Sequence, residues 1–168
     1  MLTLHPYQMD QIYAHAQACY PEECCGLMLG QILESDAQSE KKLFELYPLD
    51  NAWDQAESSI QKEESGTPLT TTRRYWIAPQ DLFNAQKYAR TQGWDIIGVY
   101  HSHPDHEAVP SECDRKWAWP QYSYVIVAVE NGVPHDFRNW ILDDQQRFRA
   151  EQITVVDAMV TSTLETDI

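Results

Sequence analysis

The segment Tyr122–Val129, YSYVIVAV, is the feature that most limits what this chain can become. It is an almost unbroken apolar run of strand length, and such a run belongs inside a core. Asn131-Gly132 follows directly. That dipeptide favours the tight turn of a β-hairpin, so strands are expected to return at 135–142 and 147–156. No apolar run reaches the roughly 18 residues that a membrane-spanning helix needs.

Around this strand the periodicity alternates. Met9, Ile12, Tyr13, Ala16 and Cys19 recur at helical spacing, Pro6 suits a first turn and Pro21 forces a break, so 6–20 reads as a helix. Residues 24–33, CCGLMLGQIL, form an apolar strand, and 41–49 a second one. Pro79 opens and Gly93 closes a helix over 79–92, with an imperfect inner stripe of Leu82, Phe83, Gln86 and Ala89. A strand follows at 95–101. The polar stretch from about Asp54 to Thr72 has no sustained apolar period and carries Gly66 and Pro68; it reads as a long inserted surface loop. The last dozen residues carry no pattern. With 168 residues, 43% of them hydrophobic, the chain can bury one core without disulfides. The expected architecture is a single α/β or α+β domain with helices flanking one twisted sheet.

Twelve basic against 26 acidic residues leave a net charge of −14. A field of that sign repels phosphate backbones and anionic lipid, which argues against nucleic acid or a membrane as partner. Cys19, Cys24, Cys25 and Cys113 match no zinc-knuckle or ribbon spacing. Cys24 and Cys25 point to opposite faces of a strand and read as small core residues. The N-terminal MLTLHPYQMD has no basic stretch leading into an apolar one, so the thiols are expected to stay reduced, in the cytoplasm.

The residues that carry chemistry begin at the end of the 95–101 strand. His101 and His103 stand two apart there, so their imidazoles share one face. Pro104 stops the strand, and the loop DHEAVPSECD can bring Asp114 round as an oxygen ligand. Two nitrogens and one oxygen suit Zn²⁺, one per chain, and three protein ligands leave a fourth position for water, the pattern of a catalytic site. Ser111-x-x-Asp114 also matches a helix-capping box. The two readings are compatible, because a helix start fixes both side chains in space.

His-x-His, seven residues, Ser, two residues, Asp is the string of the JAMM (MPN+) metallopeptidases, and the chain resembles that family. The family adds an upstream glutamate on a strand shortly before a glycine. Here Pro21-Glu22-Glu23-Cys24-Cys25-Gly26 places Glu23 in that position, with Glu22 turned to the other side. The similarity runs from about Leu4 to Val155 and is greatest to small stand-alone bacterial members. It implies an MPN/JAB-type domain with a cytidine-deaminase-like fold, a central mixed sheet flanked by helices. It implies His101, His103 and Asp114 as zinc ligands, Glu23 as the base that takes a proton from water and passes it to the leaving amine, and Ser111 as donor to the oxyanion.

The resemblance further implies hydrolysis of an amide bond after the C-terminal glycines of a ubiquitin-like or sulfur-carrier protein, whose extended tail would add to a sheet edge. Two other functions are weighed against it: a catalytically silent MPN scaffold, and a metal hydrolase of a small amide. Oligomeric state is not read from the sequence. Cys113 beside Asp114 competes poorly as a ligand, and His5, His15, His106 and His135 gain no assigned role. Trp117 and Trp119 read as core or groove-wall aromatics, and Ser102, between the ligands, as a hydrogen-bonding residue of the sheet.

Overall fold

A computed structural model describes residues 1–34, 39–56 and 70–157. The chain runs β1 (Leu2–Leu4), α1 (Pro6–Cys19), β2 (Cys25–Leu33), β3 (Glu40–Leu49), a 3-10 turn (Trp53–Gln55) and α2 (Pro79–Gln92). It continues through β4 (Asp95–Pro104), α3 (Glu112–Trp117), β5 (Ser123–Glu130), β6 (Val133–Leu142), β7 (Phe148–Ala150) and β8 (Ile153–Val155). Most of the polar loop expected over 54–72 lies outside the described residues.

The strands form one sheet in the order β7-β6-β5-β4-β2-β3-β1-β8. β4 and β5 are parallel, as are β1 with β3 and β1 with β8; the remaining pairs are antiparallel. This is the expected α+β domain with a mixed sheet. Strands β7 and β8 stand at opposite ends of the order, yet only Glu151 and Gln152 separate them in sequence. So short a link spans at most about 10 Å, so the sheet curls until its two edges nearly meet.

The apolar run of β5 lies between two packed layers. Val125, Val127 and Val129 of β5 pack on the α1 face with Leu4, Ile12, Ala16 and Met28. Tyr124 turns to the α2 face with Leu27, Val99, Ala85 and Ala89, and Ile126 and Ala128 pack with Ala108. The strand is buried on both sides, and that is why no polar residue interrupts it. The hairpin turn forms as expected, with Asn131 at φ 50° and Gly132 at φ 80°, the left-handed pair of a type I′ turn.

Helix bounds follow their punctuation. α2 ends on Gly93 at φ 73°, whose N–H donates to the carbonyls of Ala89 and Arg90. Its buried stripe is Ala85 and Ala89, while Phe83 faces solvent. Small residues face the sheet because the helix lies close over it. The three-residue β1 is too short to show a period, and the expected 147–156 strand divides into β7 and β8 at the Glu151–Gln152 link.

Candidate metal centre

Strand register assembles the site. His101 pairs with Cys25 of β2, and the Ser102 N–H donates to the Cys24 carbonyl at 3.2 Å. Continuing that antiparallel register sets Glu23 opposite His103. Directly paired residues share a face, so Glu23 and His103 project to the same side. Ser102 turns the other way and accepts from the Cys24 N–H at 2.8 Å, its expected part in the sheet. Glu22 points outward, where its carboxylate accepts from the Thr71 hydroxyl at 3.0 Å.

The start of α3 brings in the oxygen ligand. Ser111 is the N-cap, its Oγ accepting from the Asp114 N–H at 3.2 Å, while its own N–H donates to Asp114 Oδ2 at 2.6 Å. The capping box is therefore real, and it aims the other carboxylate oxygen at the histidines. His101 Nε2 lies 3.1 Å from His103 Nε2 and 3.4 Å from Asp114 Oδ1; His103 Nε2 lies 3.8 Å from Asp114 Oδ2. The three donor atoms all fall within 4.8 Å of one another.

These atoms fit a cation. A carbonyl oxygen only accepts, so the 2.8 Å contact between His103 Nδ1 and the Glu107 carbonyl puts the proton on Nδ1. The neutral ring then offers a bare Nε2 lone pair to the cluster, the usual way an outer partner sets a ligand's tautomer. Burial pulls the His101 imidazole down to about 4 and lowers His103 as well, against the opposing pull of Asp114. Both rings are thus neutral at pH 7, and their contacts to Asp114 are not ion pairs. Burial would raise the Asp114 carboxyl, but the histidines when protonated at low pH, together with the Ser111 donors, outweigh it, so it is ionised at pH 7. A buried anion and imidazole lone pairs converging without a compensating charge are what a divalent ion relieves. Tetrahedral zinc with ligands at 2.0–2.1 Å requires ligand–ligand edges of about 3.3 Å, close to the spacings here.

Glu23 is 6% exposed. Burial first, and then the Asp114 charge, push its carboxyl well above the ordinary carboxylate range, while Arg74 and Arg73 pull the other way. A carboxyl raised in this manner is matched to proton transfer near neutrality.

Two residues that the sequence argument passed over hold the site together. Asn51 Nδ2 donates to the Glu23 carbonyl at 3.1 Å and to the Arg74 carbonyl at 2.8 Å, and its Oδ1 accepts from the N–H groups of Trp53 and Trp76. It welds the Glu23 backbone to the segment that covers the site. Tyr75 of that segment stacks on His101 with ring centroids 4.5 Å apart. Because His101 Nδ1 is buried with no hydrogen-bond partner among the described residues, this stacking fixes the ring. Neither residue belongs to a spaced motif; an Asn after a strand and a Tyr in a polar stretch give no local signal.

The other expectations fall out as follows. Trp117 and Trp119 are about half exposed and border a cleft beside Asp114, the groove-wall alternative. His106 Nε2 meets an Arg73 guanidinium nitrogen at 2.5 Å, His5 meets the Val156 carbonyl, and His15 meets the Tyr100 hydroxyl, so all three have partners outside the cluster. The sheet edges β7 and β8 lie away from the cluster, which sits on central strands.

Comparison with known proteins follows the geometry. Residues 5–143 match the family described as prokaryotic homologs of the JAB domain. The chain is 30% identical to the desampylase of Haloferax volcanii over 74% of its length and 78% of that protein. It is 26% identical to the CysO-cysteine peptidase of Mycobacterium tuberculosis, covering 86% and 84% of the two chains. The solution structure of a Desulfitobacterium hafniense protein superposes with a TM-score of 0.71 at 28% identity, covering 94% of each chain. With its fold, its His-His-Asp cluster and these relatives in agreement, the chain belongs to the prokaryotic JAB-domain family.

Proposed function

We propose that the protein is a zinc-dependent peptidase that hydrolyses the amide bond following the C-terminal glycines of a ubiquitin-like or sulfur-carrier protein. The observation that carries this reading is the convergence of two neutral imidazoles and an ionised carboxylate beside the buried Glu23, whose carboxyl is raised above the ordinary range. The relatives named for removing a modifier and for cleaving CysO-cysteine supply the substrate class. Buried thiols at Cys24 and Cys25 suit the reducing cytoplasm.

His101, His103 and Asp114 hold the ion, with Glu107 and Ser111 fixing His103 and Asp114 from behind and Tyr75 fixing His101. When bound, the zinc supplies Lewis acidity that polarises a carbonyl and acidifies water. Glu23 accepts a proton from the attacking water and returns it to the departing amine. Its raised carboxyl makes both transfers accessible near neutral pH. Ser111 uses its oxygen lone pair to cap α3, which leaves its hydroxyl proton free to donate to the developing oxyanion. Asn51 keeps Glu23 in place by gripping its backbone carbonyl.

The test is incubation of the zinc-loaded protein with a sulfur carrier whose Gly-Gly terminus is extended by one residue, read by mass spectrometry. Loss of the mass of that residue is expected. An intact extension in protein containing one zinc per chain would sink the substrate class.

A further inference from the structure

An apolar cleft of about 920 Å³, measured with its open mouth, adjoins the metal cluster, and Asp114 lines both. Its floor is one row of the sheet, Leu27, Val99 and Tyr124, which pair across β2, β4 and β5. Trp76, Trp117 and Trp119 also line it, and Trp76 meets Trp117 edge-on at 5.5 Å between centroids. None of these residues is required to hold the ion or move a proton.

The register orders the parts along the strand axis. Glu23 and His103 form the outer row, Cys25 and His101 the next, and Leu27 and Val99 the row below. The cleft floor therefore lies about 7 Å from the His101 row, two residues along a strand. The ion's position falls between the cleft and Glu23. The amine that receives Glu23's proton must leave on the Glu23 side, so the acyl portion of the substrate extends toward the cleft. An extended chain advances about 3.3 Å per residue, which carries the residue just ahead of a glycine pair over the aromatic walls.

We infer that this cleft is a specificity subsite for a bulky apolar side chain, aromatic or long aliphatic, at the residue immediately preceding the Gly-Gly pair. The inference rests on the hydrolase reading for its direction. The glycines pass the narrow metal centre, and the side chain ahead of them anchors the tail. Apart from Asp114 and Arg74 the named walls are apolar or aromatic, so an acidic side chain at that position gains less from burial there than Leu or Phe.

The probes are the peptides acetyl-Ala-Ala-Xaa-Gly-Gly, with Xaa as Ala, Asp, Leu or Phe, titrated by calorimetry into the zinc-loaded protein. The same series extended by one alanine is followed for cleavage. Leu and Phe are expected to bind about tenfold or more tighter than Ala or Asp. Trp117→Ala, at a half-exposed position, is expected to bring the Phe-to-Ala ratio close to one while zinc content and melting temperature hold; Trp119→Ala gives a second variant. Equal binding of Ala and Phe overturns the subsite, and so does a preference that survives both tryptophan replacements. Preferential binding without cleavage upholds the subsite and defeats the peptidase reading. Cleavage with no preference does the reverse.

Discussion

In the proposed mechanism, activity turns on Glu23. Glu23→Gln keeps the shape and removes the proton shuttle. Cleavage is expected to fall by about 10²–10⁴-fold while the protein still binds one zinc, measured by parallel kinetics and metal analysis. Unchanged cleavage would remove Glu23 from the mechanism. The histidines predict a pH effect on the zinc-free protein. His101 sits at about 4 in the fold against an ordinary 6.5. Its folded value is depressed, so the stability it contributes is full above about 6.5 and is lost as pH falls through about 4. The loss is ~3 kcal/mol, and His103 acts in the same direction. Glu23 has the opposite sign, since a raised carboxyl favours the fold at low pH and ceases to as pH rises through its folded value. Urea midpoints of zinc-free protein are expected to drop from pH 7 to pH 4.5. A midpoint that rises over that range would show Glu23 outweighing both histidines.

At the scale of elements, the site is a junction of β2, β4 and the first turn of α3, covered by residues 74–77. Asn51 is the peg through that junction. Asn51→Ala leaves the N–H groups of Trp53 and Trp76 and the Glu23 and Arg74 carbonyls short of a partner. A destabilisation of about 2 kcal/mol is expected, read by denaturant titration, together with reduced turnover at unchanged zinc content. Much of this level was legible beforehand. His101 and His103 share a strand face because side chains alternate, Ser111 and Asp114 cap a helix because their spacing is that of a capping box, and Gly93 ends α2 because it can turn left-handed. Asn51 and Tyr75 were not legible, because their roles depend on which distant backbone arrives beside them. The curl of the sheet was hidden for the same reason: strands at 148–150 and 153–155 look like one strand until their partners are known.

At the scale of the whole molecule, a buried ionic knot closes the curl at the end away from the metal ligands. Lys41 Nζ, 2% exposed, donates to Ser123 Oγ and to Glu151 Oε1, both at 3.0 Å, and Ser123 and Asn139 donate to the other Glu151 oxygen. Four separated parts of the chain meet there. Lys41→Met removes the more buried of the two cations on Glu151, leaving the Met1 ammonium 3.3 Å away, and is expected to cost less than the ~3–5 kcal/mol of a fully stranded buried charge. Adding Glu151→Leu should restore much of that, because the buried charge goes with its partner. A double variant no more stable than the single one would mean that hydrogen bonding by Glu151, and not its charge, holds the knot. The curl also sets the order of assembly. β1 pairs with β8, joining Leu2 to Ile153. Loop closure over such a separation comes late, because its entropy is repaid only after nearer contacts exist. β2, β4, α3 and β5, which with the residue pair before β2 place Glu23 and the candidate ligands His101, His103 and Asp114, need no chain beyond residue 130 to find one another. A ribosome-bound chain can therefore shape its ion-binding centre before its two ends have met.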